Sequence, residues 1–260
     1  SMKLVILAGG YGSRLSEETV LKPKPLVEIG GKPLIWHIMK IYSFYGINDF
    51  MILCGYKGNL IKEYFINYFK YNSDLEINTN SNKFKILKKP NEKWKVKLID
   101  TGENTLTGGR LNRIKKYIKS DEVFCLTYGD GVAPVNIKQL IQFHKKNKKN
   151  VTVTAVQPKG RYGSIKIDQK GKVSNFEEKP SGDNMWVNGG FFILNKKSLR
   201  FLKKDSDIWE QEGLKELANL GELGAYKHSG FWKAMDTLSD KKYLDNLWDS
   251  GNAPWKIWKD

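Results

Sequence analysis

The sequence predicts an α/β fold, a mixed and mainly parallel sheet flanked by helices, with an antiparallel β segment inserted at about residues 75–100. Three observations lead there. The first apolar run, residues 3–8, is continuous and stops at Gly9-Gly10, as a central strand buried on both faces does. Similar runs then alternate with stretches whose apolar residues recur every three or four positions, the helical period. Between about 75 and 100 the period changes to two.

Each element follows from its spacing. Residues 33–45 place Leu34, Ile35, Ile38, Met39, Ile41 and Tyr42 on one helical face. Asp49–Cys54 reads as a second buried strand and 59–71 as a second helix, so right-handed crossovers and a parallel sheet are expected. Leu75, Ile77, Phe84, Ile86, Trp94, Val96 and Leu98 alternate with polar residues around the turn Asn80-Ser81-Asn82. They predict half-exposed antiparallel strands at a sheet edge. A helix near 109–119, a strand at 123–127, a helix near 136–147 and a strand at 151–157 restore the α/β rhythm. A hairpin follows over 163–176, then a strand at 188–194, a helix at 208–219 and a short strand at 224–228. The stretch 239–260 reads as a helix to about Trp248 and an aromatic tail. No repeat or linker interrupts the chain, so residues 1–260 are read as a single domain.

Composition narrows the function classes. With 260 residues, 40% hydrophobic and 28% charged, the chain can bury a sizeable core and is not a disordered or fibrous sequence. The formal charge of +16 invites phosphorylated ligands or nucleic acid. The excess is lysine, though, with arginine only at Arg14, Arg110, Arg113, Arg161 and Arg200. Readers of nucleic acid lean on arginine and clustered charge, so a solvated lysine surface is the better reading and no nucleic acid is expected. A basic nucleic-acid binder stays open as the reading outside the enzyme class, with Trp94-Lys95-Val96-Lys97 and the tail from Trp255 to Lys259 as its candidate segments. Cys54 and Cys125 lack metal or disulfide spacing and read as reduced thiols of a cytoplasmic protein. No run approaches the roughly 20 apolar residues of a membrane span. The chain opens on a strand with no signal-peptide pattern, Ser1 reading as an extra residue before Met2.

The chemistry is carried by the loop after the first strand. Leu7-Ala8-Gly9-Gly10-Tyr11-Gly12-Ser13-Arg14 brings backbone close to a ligand, as a phosphate cradle requires. It is neither GxGxxG nor a Walker A loop, which ends in Gly-Lys-Ser/Thr. Instead Arg14 closes it, and Lys22-Pro23-Lys24-Pro25 follows, with prolines holding the Lys24 backbone. A guanidinium and a fixed ammonium around glycines suit a polyphosphate.

These residues, with KPKPLVEIGGKPLI after them, resemble the signature of the sugar-1-phosphate nucleotidyltransferases, LAGGxGTRL…KPxxxV…KP, with Ser13 in place of threonine. Further matches run along essentially the whole chain: Cys54 to Gly58, Asp100-Thr101-Gly102, Thr107 to Leu111, Thr127 to Val132, Phe176 to Pro180, Asn188 to Phe192, Phe231 to Thr237 and Ala253 to Lys256. Together they point to the glucose-1-phosphate cytidylyltransferase branch. The resemblance implies a Rossmann-like nucleotide-diphospho-sugar transferase fold and the reaction of CTP with α-D-glucose 1-phosphate, giving CDP-glucose and pyrophosphate. The nucleophile is already an anion, so alignment and charge neutralisation suffice. Hence no catalytic histidine is expected, and His37, His144 and His228 read as structural.

The resemblance implies Mg2+ on Asp130 and Asp236, with Arg14, Lys24 and Lys179 as the catalytic cations. It puts Thr105, Thr107 and Arg110 at the nucleobase, at a helix N-terminus that attracts anions or base edges. Gly129 would leave room for the nucleotide. Gly163, Glu178, Lys179, Asn188, Gly189 and Trp232 would form the sugar phosphate pocket, with Trp232 either stacking on the sugar or filling core. From the residues alone, Asp130 could instead cap a turn, and Asp236 could be a helix N-cap. UTP or dTTP, or another sugar 1-phosphate, remains the alternative substrate pair. A homo-oligomer is expected, a hexamer among the arrangements the resemblance allows, with Trp248, Trp255 and Trp258 either at an interface or folded back on their own subunit.

Overall fold

The continuous apolar character of the first strand has a plain cause: Leu4 and Ile6 enter one hydrophobic core, while Val5 and Leu7 enter another on the opposite face. The computed structural model describes residues 2–12, 21–160, 164–177 and 185–260. In chain order, the longer strands of its main sheet are β1 (Lys3–Leu7), β2 (Asp49–Cys54), β3 (Lys95–Asp100), β4 (Val123–Tyr128), β5 (Val151–Val156), β6 (Phe192–Asn195) and β7 (Leu223–His228), and the two-residue strand Val187–Asn188 also pairs with β5, antiparallel. The longer helices are α1 (Leu34–Phe44), α2 (Gly58–Ile66), α3 (Thr107–Ile114), α4 (Ile137–Asn147), α5 (Leu214–Asn219) and α6 (Leu238–Asp249), with a single helical turn at Tyr68–Tyr71.

The sheet runs β3-β2-β1-β4-β6-β5-β7. The first four strands are mutually parallel, β6 is antiparallel to both neighbours, and β7 is parallel to β5. The expected mixed, mainly parallel sheet flanked by helices is what forms. From β1 the chain moves outward to β2 and β3, then returns to β4 on the other side of β1. Connections therefore diverge beyond the C-terminal ends of β1 and β4, the position where open α/β sheets bind ligands. One face is covered by α1, α4, α6 and the C-terminal tail, the other by α3 and α5.

Several elements differ from expectation. Residues 95–100 are not antiparallel: β3 pairs with β2 in parallel, from Asp49↔Lys95 to Cys54↔Asp100. Their alternation reflects an edge strand with partly exposed faces, a pattern that carries no information about direction. Only Asp74–Asn78 and Lys83–Lys88 form the predicted antiparallel hairpin, and they form it apart from the main sheet. The 59–71 helix breaks at Asn67, whose side-chain amide donates to the Glu63 carbonyl at 3.0 Å and competes with the next turn. The 188–194 strand is interrupted between Val187–Asn188 and Phe192–Asn195, where Gly190 and Phe191 both have positive φ (73° and 45°).

The C-terminal tryptophans fold back on their own subunit. Gly30 and Gly31, both at positive φ, make a two-residue hairpin turn. Trp248 lies against Gly30 so closely that a Cβ there would fall inside the indole. Trp255 is fully buried and Trp258 nearly so, packed in one core with Trp36 and His37. Among the described residues, no helix is long and apolar enough to cross a membrane.

Candidate active site

A cleft of about 280 Å³ opens where the connections diverge. Leu7, Ala8, Gly9, Gly10 and Gly12 line it from the loop after β1, Lys24 and Pro25 from the next segment, Thr105, Leu106, Thr107 and Arg110 from the start of α3, and Tyr128, Gly129 and Asp130 from the end of β4. Residues scattered over 120 positions of sequence thus share one wall, because the parallel strands deliver their C-terminal loops to the same edge. Tyr11 is half exposed, donates its hydroxyl to Asn104 at 2.8 Å and lies 5.0 Å from the Tyr56 ring. Ser13, Arg14, Gly163, Glu178 and Lys179 lie outside the described residues.

The two expected metal ligands converge for a local reason. Gly131–Val132 pairs antiparallel with Lys233–Ala234, and Met235 N–H donates to the Asp130 carbonyl at 2.7 Å. That short ladder carries Asp236 across to Asp130. Lys24 completes the group: its Nζ donates to Asp236 at 3.0 Å and lies 3.8 Å from Asp130. Lys24 itself sits in a single 3₁₀ turn between buried prolines, which fix its backbone. Asp236 is not the N-cap of α6. Thr237 takes that place, in a reciprocal capping box with Asp240, and leaves the Asp236 carboxylate facing the cleft side. Burial pushes the Asp130 carboxyl above its usual range, against the pull of Lys24 and with a further push from Asp236.

This donor set fits magnesium. Both protein donors are hard carboxylate oxygens, and Mg2+ is commonly held by one or two carboxylates with phosphate and water oxygens completing its shell. Among the described residues, no group of three or more His, Cys, Asp or Glu side chains could hold a metal alone.

Arg110 spends its donors on the protein. Nη1 donates to Gly102 O at 2.6 Å and Thr101 Oγ1 at 2.9 Å, and Nη2 to Gly9 O at 3.0 Å. The guanidinium ties the loops after β1 and β3 to the end of β2, where Nη1 donates to Cys54 O at 3.4 Å, and a Cβ at Gly9 or Gly55 would overlap it. Burial lowers its pKa from the ordinary arginine value. The start of α3 is likewise engaged, since Gly109 N–H donates to Asp207 O at 3.0 Å. Thr105 is buried beside it. Asn188 donates to the Tyr128 hydroxyl at 2.9 Å, and Trp232 Nε1 donates to Gly189 O at 2.9 Å, so this tryptophan is half buried against the segment that follows Val187–Asn188.

Sequence reasoning missed Tyr128 and Glu210. Tyr128 stands inside the TYGDGV motif, whose glycines and aspartate carry the stronger chemical signal. Glu210 lies in a π-type turn (Trp209–Gly213), one residue after its start, and in no motif. It accepts from Thr107 Oγ1 at 2.9 Å and from the Tyr128 hydroxyl at 2.7 Å. Burial, then the Glu210 charge, push the Tyr128 hydroxyl pKa up, so its proton is firmly held.

Residues 3–240 match the family model described as nucleotidyl transferase. The chain is 55% identical to the glucose-1-phosphate cytidylyltransferase of Salmonella typhi over 258 residues, covering 99% of this chain and 100% of that one. It is also 55% identical to the glucose-1-phosphate cytidylyltransferase of Salmonella typhimurium, with the same coverage. In fold it is similar to the crystal structure of HddC from Yersinia pseudotuberculosis, with a TM-score of 0.70 and 24% identity over 95% of this chain and 100% of that one.

Proposed function

The chain belongs to the nucleotidyl transferase family, and from that premise we propose that it transfers a cytidylyl group from CTP to α-D-glucose 1-phosphate, giving CDP-glucose and pyrophosphate. A phosphate oxygen of the sugar phosphate forms a bond to the α-phosphorus while the bond to the β-phosphate oxygen breaks in line. No proton need be removed from an oxygen that is already anionic. The work left to the protein is alignment and neutralisation of charge.

Gly9, Gly10 and Gly12 let the loop backbone approach the triphosphate, joined by Ser13, Arg14 and Lys24. Thr105 and Thr107 bear on the base, with Arg110 holding the loop behind it. Lys179 neutralises the attacking phosphate, and Glu178, Gly163, Asn188, Gly189 and Trp232 surround the sugar. Asp130 and Asp236 would hold Mg2+, which supplies positive charge to the phosphate oxygens when bound. The cytoplasm is the expected location. A homo-oligomer belongs to the same reading, supported by the apolar side chains Ile77, Phe84 and Leu87 exposed on the outlying hairpin rather than by the C-terminal tryptophans.

The observation that carries the reading is the meeting of Lys24 with Asp130 and Asp236 beside the glycine loop. Pyrophosphate release measured across the four ribonucleoside triphosphates, dTTP and several hexose 1-phosphates tests it. CTP with glucose 1-phosphate should be the fastest pair, and another pair running faster would overturn it.

A further inference from the structure

Two hydroxyls of the cleft wall, Thr107 and Tyr128, are tied to a single carboxylate that lies outside the cleft lining. Glu210 Oε2 accepts from Thr107 Oγ1 at 2.9 Å, and Glu210 Oε1 accepts from Tyr128 at 2.7 Å. Each hydroxyl also receives a hydrogen bond from a second partner. Thr107 Oγ1 accepts from the Trp209 N–H at 2.9 Å, and the Tyr128 hydroxyl accepts from Asn188 Nδ2 at 2.9 Å. The Asn188 amide is oriented by its other end, whose Oδ1 accepts from Gly190 N–H at 2.9 Å.

These partners fix the direction of every proton. A backbone N–H only donates, and an ionised carboxylate only accepts. Both hydroxyl protons therefore point at Glu210, and what either hydroxyl has left for the cleft is a lone pair. We propose that Glu210 sets the choice of base: by holding both protons it makes this wall an acceptor, matched to a pyrimidine that presents an exocyclic amino group and mismatched to one that presents a carbonyl there. Cytosine and uracil differ in that way, N4–H₂ donor against O4 acceptor. The inference rests on the reading that the base lies against residues 105–107. Glu210 acts through Thr107 and Tyr128 and is a positioning residue, not a catalytic one.

Replacing Glu210 by glutamine tests the polarity with little change of shape. A glutamine amide accepts from one hydroxyl but donates to the other, which frees one hydroxyl proton to turn into the cleft. The readout is the ratio of kcat/KM for CTP to that for UTP, with glucose 1-phosphate as co-substrate. Loss of packing alone slows both nucleotides together and leaves this ratio unmoved. In Glu210→Gln the ratio should fall about tenfold or more, the scale on which sites built for one hydrogen-bonding pattern reject the other. A ratio within about twofold of the parent enzyme overturns the inference. Should Glu210→Gln fail to fold by circular dichroism, Thr107 decides. Thr107→Ser keeps the hydroxyl and should keep the ratio, whereas Thr107→Val should lower it, and equal ratios in the two overturn the inference. A parent enzyme that uses UTP as well as CTP refutes the proposed function. A parent that prefers CTP, with the preference unchanged in these variants, refutes only the role of Glu210.

Discussion

Lys24 and Arg110 are both cations of the cleft wall, and their partners give them different work. Arg110 is nearly buried, and its guanidinium is turned to the carbonyls of Gly9 and Gly102 and the hydroxyl of Thr101, so its charge holds loops in place. The Lys24 ammonium lies against two carboxylates, the two predicted to hold a metal. A positioned charge at such a site acts on charge that develops during the reaction. Lys24→Ala should therefore leave a folded protein with kcat lower by about a hundredfold or more, and Lys179→Ala should do the same. Single-turnover rates with circular dichroism as the folding control measure both, and near-parental turnover would remove that lysine from the mechanism. The glycine loop, Lys24 and Asp130, which the fold brings to one cleft, were legible in sequence because a glycine-rich turn, a lysine between prolines and a carboxylate just after a buried strand are local patterns. Glu210 was not legible, since a carboxylate that acts through a threonine and a tyrosine from distant segments leaves no local pattern.

At the scale of elements, periodicity reports burial, and burial was read well: the bounds of β2 stand as expected, and α1 and α4 differ from expectation by a residue or so at an end. What periodicity does not encode is partnership. β3 shows the same alternation whether it pairs in parallel or antiparallel, and the interruption at Gly190-Phe191 depends on how that strand meets β5. The C-terminal tail shows the same limit, since a run of tryptophans looks alike at an interface and in a core. Here Trp255 is fully buried, its Nε1 donating to His37 Nδ1 at 3.2 Å, and its ring stacks near Trp248 and Phe231. Trp255→Ala would open a large cavity beneath α1, and a cost of about 3–5 kcal/mol is expected for such a truncation. Urea denaturation followed by tryptophan fluorescence measures it. A loss under about 1 kcal/mol would mean that the tail contributes little to this core.

For the whole molecule, the same contact makes stability depend on pH in a window set by histidine. His37 donates from Nε2 to the Ile29 carbonyl at 2.8 Å and accepts from Trp255 at Nδ1, so the neutral ring satisfies both neighbours. A proton added at Nδ1 would meet the Trp255 N–H head on. Burial lowers the His37 pKa to about 4, below the 6.5 of an exposed histidine. His144, buried against Thr152 and Asn195, is lowered for the same reason. Between those His37 values the unfolded chain binds more protons than the folded one, so stability falls as pH falls, at up to about 1.4 kcal/mol per pH unit, and His144 acts in the same direction. The carboxylates with depressed values, Glu122 and Asp240 among them, also favour the folded state above their unfolded range, but their contribution is lost only at lower pH, below about 4.5. The two windows are separable. Unfolding free energy measured from pH 7 to pH 4.5 should decline in the parent chain, and in His37→Gln, compared with its own value at pH 7, the decline should be distinctly shallower. A parallel decline in the two proteins would show that His37 is not the group that titrates, and would remove the tail contact as the acid-sensitive joint of the fold.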